Sequence, residues 1–146
     1  MTPDDLPPGP VILDTDAATR VHRGGEQARR FSPFLVGRLL ALSFATVAEW
    51  RFGAVHAGWG DRRRRELEDF IARFVVLPGD NATVNAWVEV HRAVRDQIGP
   101  IDEWVAASAL SRTPRLPLVT GNRRHFVAIS ERLGLTVVSP LSEPAE

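Results

Sequence analysis

Cysteine is absent from this 146-residue chain, which removes disulfides, zinc–thiolate centres and thiol nucleophiles together. Long apolar runs are missing as well. None approaches the length of a bilayer span, and the N-terminus lacks the charged-then-apolar pattern of a signal segment. A cytoplasmic protein with no membrane partner is therefore expected. Net charge is also lacking, since 18 Lys plus Arg balance 18 Asp plus Glu. That zero excludes little, because an acidic site and a basic rim cancel in the sum while staying apart in space. The positive charge is carried by arginine, which suits phosphate recognition. No glycine-rich nucleotide-binding loop and no Ser-His-Asp arrangement stands out. What remains is an ordinary composition, 44% apolar and 25% charged, in one domain long enough to bury a core.

The order of elements points to an α/β fold. Residues 1–10 carry Pro3, Pro7, Pro8 and Pro10 and read as a flexible, exposed lead-in. The domain proper is expected over 11–140, with a flexible tail at 141–146. Short apolar runs predict strands at Val11–Leu13, Leu39–Phe44, Val75–Leu77, Leu116–Thr120 and Thr136–Ser139. Between them, a partly helical Thr15–Phe31 is broken at Gly24-Gly25. Thr46-Val47-Ala48-Glu49 fits a capping box for a helix reaching Ala57. Leu67, Phe70, Ile71 and Phe74 mark one face of a helix over Arg62–Phe74. Trp87, Val90, His91, Val94 and Ile98 form the stripe of a long helix after Pro78-Gly79-Asp80. Helices are also expected over Asp102–Ser111 and Arg123–Arg132. Strands separated by helices imply a central parallel sheet of about four to five strands, flanked by helices.

Three acids stand at the edges of apolar segments: Asp14 after Val11-Ile12-Leu13, Glu49 after Leu39 to Val47, and Asp102 before Glu103-Trp104-Val105. Each has a bland explanation as a cap or turn residue. Together they point to one crevice, because such folds gather ligands beyond the carboxyl ends of their strands. Crowded carboxylates repel unless a hard cation lies between them, and oxygen-only ligation suits Mg²⁺ or Mn²⁺. Asp14, Glu49 and Asp102 are thus the candidate catalytic and metal-binding residues. Thr120 and Asn122, ending the apolar run Leu116 to Val119, are candidates to position a water or phosphate. Asp16 reads as an auxiliary carboxylate or helix N-terminal charge. Arg123 and Arg124, beside the site, are candidates for RNA backbone contact. His125 reads as hydrogen-bonded structure. The run Arg62 to Arg65 opposes the helix dipole and reads first as a solvated face.

Leu13-Asp14-Thr15-Asp16 superficially resembles the D-x-D loop of haloacid-dehalogenase-like phosphatases. No lysine and no pair of acids follows Thr120 closely, so that reading is rejected. A wider resemblance is carried by Ile12 to Asp16, Ser43 to Glu49, Asp102 to Leu110 and Leu116 to Phe126, in order and at similar spacing. These segments resemble the PIN domain, specifically VapC-type toxins of bacterial toxin–antitoxin pairs. The resemblance implies a PIN-like parallel sheet and an acidic Mg²⁺ or Mn²⁺ site that cuts RNA. It also implies a homodimer neutralised by a cognate VapB-type antitoxin.

Two departures are visible. Asn122 and His125 stand where the family often has a fourth acid, which lowers the expected affinity for a second metal. The segment between Pro100-Ile101 and Asp102 is short; a tilted helix start there would aim Asp102 away from the site. Both departures favour the alternative reading, a weak or inactive PIN fold that binds RNA or a partner protein. Trp50, Phe52 and Trp59 beside arginines mark the expected interface.

Overall fold

Three apolar residues in a row suit a strand covered on both faces, and Val11–Leu13 at the centre of the molecule meets that condition. The computed structural model describes residues 1–141. The expected tail at 141–146 lies, beyond Leu141, outside the described residues. Five strands are present: β1 (Val11–Leu13), β2 (Leu40–Ser43), β3 (Val75–Leu77), β4 (Leu118–Val119) and β5 (Val137–Val138). They form one parallel sheet in the order β3-β2-β1-β4-β5. The connecting helices are α1 (Thr15–Arg23), α2 (Gly25–Leu35), α3 (Phe44–His56), α4 (Asp61–Ile71), α5 (Asn81–Val94), α6 (Pro100–Leu110) and α7 (Val127–Leu133).

Alternate strand residues serve opposite layers, as the two-residue strand period requires. Val11, Leu13, Leu42, Val119 and Val138 face a core built with α1 to α4. Ile12, Ala41, Leu118 and Val137 face a second core built with α5, α6 and α7. From central β1 the chain steps outward through β2 to β3, then crosses back to add β4 and β5 on the other side. The order reverses between β1 and β4, so the crevice beyond their carboxyl ends is the switch point where such sheets bind ligands.

Several boundaries differ from the sequence reading for local reasons. Ser43 caps α3, its hydroxyl accepting from the Ala45 N–H at 3.2 Å, so α3 begins at Phe44 and no capping box forms at Thr46. Thr46 is instead buried and shares a 2.9 Å hydrogen bond with the Thr15 hydroxyl. Gly24 and Gly25 hold φ of 74° and 80°, conformations that end α1 and redirect the chain into α2. Pro100 occupies the first turn of α6, where its missing N–H costs nothing, and the helix therefore starts two residues before Asp102. The expected helix over Arg123–Arg132 opens as a 3₁₀ turn, Arg123–Phe126, and only then becomes α7.

The proline-rich start is more tightly held than its composition implies. Pro3–Asp5 forms a single 3₁₀ turn, Leu6 is buried, and the Arg38 guanidinium donates to the Pro7 and Gly9 carbonyls. No helix among the described residues is long and apolar enough to cross a membrane.

Phe126 is fully buried among the residues of the second core and anchors the turn carrying Asn122 and His125. Phe126→Ala should therefore cost about 3–5 kcal/mol, measured by urea denaturation. A loss below about 1 kcal/mol would mean that the turn is not held by this ring.

Candidate metal centre

Asp14 leaves the end of the central strand and at once becomes the N-cap of α1. Its Oδ1 accepts the Ala17 N–H at 2.8 Å, and its Oδ2 accepts the Thr120 hydroxyl at 2.5 Å. The carboxylate is only 2% exposed. Burial is the main cause that lifts its pKa from 3.8 to about 7, helped by Asp102 and Asp16 and opposed by the two hydrogen bonds. Thr120, itself fully buried, also accepts the Asn122 backbone N–H at 3.0 Å. Thr120 thus acts on the site through Asp14.

Asp14, Thr15, Asp16, Glu49, Asp102 and His125 line one open cleft, with Gly99, Pro100 and Ile101 at its rim. Glu49 reaches it from α3 and Asp102 from the first turn of α6. The short segment before Asp102 has not turned this carboxylate away. Burial raises the pKa of Glu49, and Asp102 raises it further. Asp102 is raised chiefly by burial and also by Asp16, while His125 lowers it. Asp16 is partly exposed and paired with Arg20 at 3.0 Å. Gly121 permits that pair, since a Cβ there would lie 2.0 Å from the Asp16 Oδ2.

Asn122 is placed differently from the sequence expectation. Its side chain is exposed and lies outside the cleft lining. Its Oδ1 caps the 3₁₀ turn by accepting the Arg124 N–H at 3.2 Å, a role for which Asn is well suited. His125, assigned from the sequence to structure, is the residue of this turn that faces the acids. Its Nδ1 lies 3.5 Å from the Asp102 Oδ2, and its Nε2 lies 3.2 Å from the Asn122 Nδ2. A signal existed: His125 lies three residues beyond Asn122, in the segment where the resemblance places a fourth acid. Arg124 is exposed, whereas the Nε of Arg123 is buried with no hydrogen-bond partner.

An all-carboxylate donor set fits a hard divalent cation. Among the described residues, no three Asp, Glu or His side chains stand close enough together to hold a metal ion by themselves. An open set suits an ion that keeps part of its water shell, as Mg²⁺ does, with one or two direct carboxylates. The raised pKa values point the same way, because carboxylates that ionise reluctantly beside one another gain most from a cation.

The PIN domain family matches residues 11–132, and the chain belongs to that family. Within it, the chain is similar to the tRNA(fMet)-specific endonuclease VapC of Shigella flexneri. The two are 31% identical over 98 residues, which are 65% of this chain and 70% of that protein. Two solved structures are each 26% identical to this chain. VapBC-1 of nontypeable Haemophilus influenzae has a TM-score of 0.71, covering 91% of this chain and 99% of that one. DNA-bound VapBC of Salmonella typhimurium has a TM-score of 0.68, covering 89% and 97%.

The Asp14 environment sets a pH dependence. A carboxyl whose folded pKa is raised from 3.8 to about 7 stabilises the fold most below pH 4 and loses that contribution as pH climbs through 7. The upper bound is on the order of 4 kcal/mol. Metal-free protein should melt at progressively lower temperature from pH 4.5 to 7.5, and Asp14→Asn should flatten the curve. Parallel curves for the two proteins would place Asp14 outside this linkage.

Proposed function

We propose that the chain is a divalent-metal-dependent endoribonuclease, the toxin of a VapBC-type pair. The observation carrying this reading is the convergence of Asp14, Glu49 and Asp102 on one cleft at the sheet's switch point. Asp14, Glu49 and Asp102 would hold Mg²⁺ or Mn²⁺, directly or through water. The ion, when bound, supplies acidification of water and neutralisation of charge on the phosphate and leaving oxygen.

The residues themselves divide the remaining tasks. Thr120 and the Ala17 N–H fix the Asp14 carboxylate in one orientation. Asp16 adds negative potential from the rim of the cleft while tied to Arg20. Arg123 and Arg124, on the turn beside the acids, offset the charge of the RNA backbone. The VapC relative and the VapBC complexes among similar structures support a VapB-type antitoxin as partner, and a cytoplasmic location belongs to the same reading.

A homodimer fits the surface, with one revision. Trp50 is half-buried and donates to the Thr19 hydroxyl at 3.1 Å, and Trp59 is half-buried beneath the Arg63 guanidinium. Among the described residues, Phe52 and Val55 of α3, Val75 and Val76 of β3, and Val84 and Val88 of α5 are exposed, as are Val36 and Leu39 between α2 and β2. Burial of such residues against a second copy would give a hydrophobic centre. Phe52→Glu should shift the species seen in light scattering from dimer to monomer; a wild type that is monomeric at high concentration argues against the dimer.

The open spacing of the carboxylates favours one other reading, a PIN fold that binds RNA without cutting it. Purified protein incubated with total cellular RNA and Mn²⁺ separates the two. Cleavage should appear with wild type and vanish with EDTA. Asp14→Asn, Glu49→Gln and Asp102→Asn should each reduce it at least about 100-fold. Arg123→Ala should weaken RNA binding, most clearly at low salt, and leave Mn²⁺ binding intact. Retention of RNA without cleavage by wild type would support the binding module instead.

A further inference from the structure

His125 is the imidazole in a cleft that also holds Asp14, Asp16, Glu49 and Asp102, and its surroundings define its role. The Asn122 amide cannot turn freely, because its Oδ1 is engaged by the Arg124 N–H at 3.2 Å. Its Nδ2 must then be the atom directed at the His125 Nε2, 3.2 Å away, and an amide nitrogen only donates. The imidazole therefore accepts at Nε2 and carries its proton on Nδ1, an assignment made from this network. That Nδ1 faces the Asp102 Oδ2 at 3.5 Å.

We propose that His125 is a positioning residue for Asp102: its Nδ1–H engages one carboxylate oxygen and leaves the other free for an ion. Partners of this kind orient a ligating carboxylate and hold it against rotation. The opposite arrangement, in which Nδ1 itself binds the ion, would put the proton on Nε2. Two N–H groups would then confront each other across 3.2 Å. Relief would require turning the Asn122 amide, at the loss of the Arg124 cap. The chain Arg124 N–H, Asn122, His125, Asp102 therefore runs in one direction only. It explains why Asn122 lies outside the cleft and still bears on it. It also means that the turn which places Thr120 on Asp14, through the Asn122 backbone N–H, places His125 on Asp102 through the side chain.

The proposal rests on the metal-dependent reading of this site, and the test separates the two. Mn²⁺ binding is measured by isothermal titration calorimetry, alongside melting of the metal-free protein and KM and kcat on RNA. If the wild type takes up no Mn²⁺, the metal reading itself fails. If it does, His125→Ala should weaken Mn²⁺ roughly tenfold. His125→Asn restores a donor near the Nδ1 position and should recover affinity to within about threefold of wild type. Asn122→Ala should weaken binding less, and the double variant should be no weaker than His125→Ala alone, because the two act in series. Metal-free melting should hardly move, since the ring is 55% exposed. The kinetic loss should fall on kcat rather than KM. An unchanged or tighter Mn²⁺ affinity in His125→Ala would overturn the proposal, and so would failure of His125→Asn to rescue. Additive losses in the double variant would overturn it as well.

Discussion

A carboxylate sealed at the end of a central strand, with neighbours of the same sign, is an expensive arrangement, and the rest of the architecture is organised around keeping Asp14 there. Its position is fixed by β1, whose residues are covered on both faces and cannot slide without exposing one core or the other. Its orientation is fixed by two donors from different elements, the first turn of α1 and the residue after β4. These hydrogen bonds offset part of the burial penalty but not all of it, which is why the pKa stays high. The remaining strain is concentrated where a cation would be most favoured.

The other acids relate to Asp14 by graded exposure. Asp102 is partly buried, Glu49 is exposed on α3, and Asp16 is tied to Arg20 at the rim. Such a gradient leaves an approach to the deepest group and lets the outer groups adjust to what enters. Gly121 belongs to the same economy of space, since any side chain there would displace the Asp16–Arg20 pair.

Much of this was legible beforehand, and the reasons are specific. Val11–Leu13 announced itself because a strand buried on both faces is a continuous apolar run, whereas edge strand Val75–Leu77 shows the same run with Val75 and Val76 exposed. The amphipathic spacing of Leu67, Phe70 and Ile71 located α4, all three being buried. Strand-end acids pointed to one crevice because the α/β topology puts the ends of strands and the starts of helices together. What the residues did not disclose were side-chain hydrogen bonds across long separations. Ser43 competes with Thr46 to start α3; in the fold Ser43 takes the Ala45 N–H, while Thr46 is buried against Thr15. Asn122 could cap or ligate, and the Arg124 N–H settles its Oδ1 in the capping role. Pattern and propensity carry no information about which acceptor a given donor finds in space.

The hydrogen bond between Thr120 and Asp14 joins residues 106 positions apart. Together with Glu49, Asp102 and His125, it makes the cleft a product of four distant stretches of chain. No fragment that stops short of β4 can contain it, however well its own helices form. During synthesis the acid at the end of the first strand finds the Ala17 N–H at once but must wait for nearly the whole chain to acquire Thr120. The acidic cleft is thus among the last features to form on the ribosome, and a truncated product carries the acids without the site.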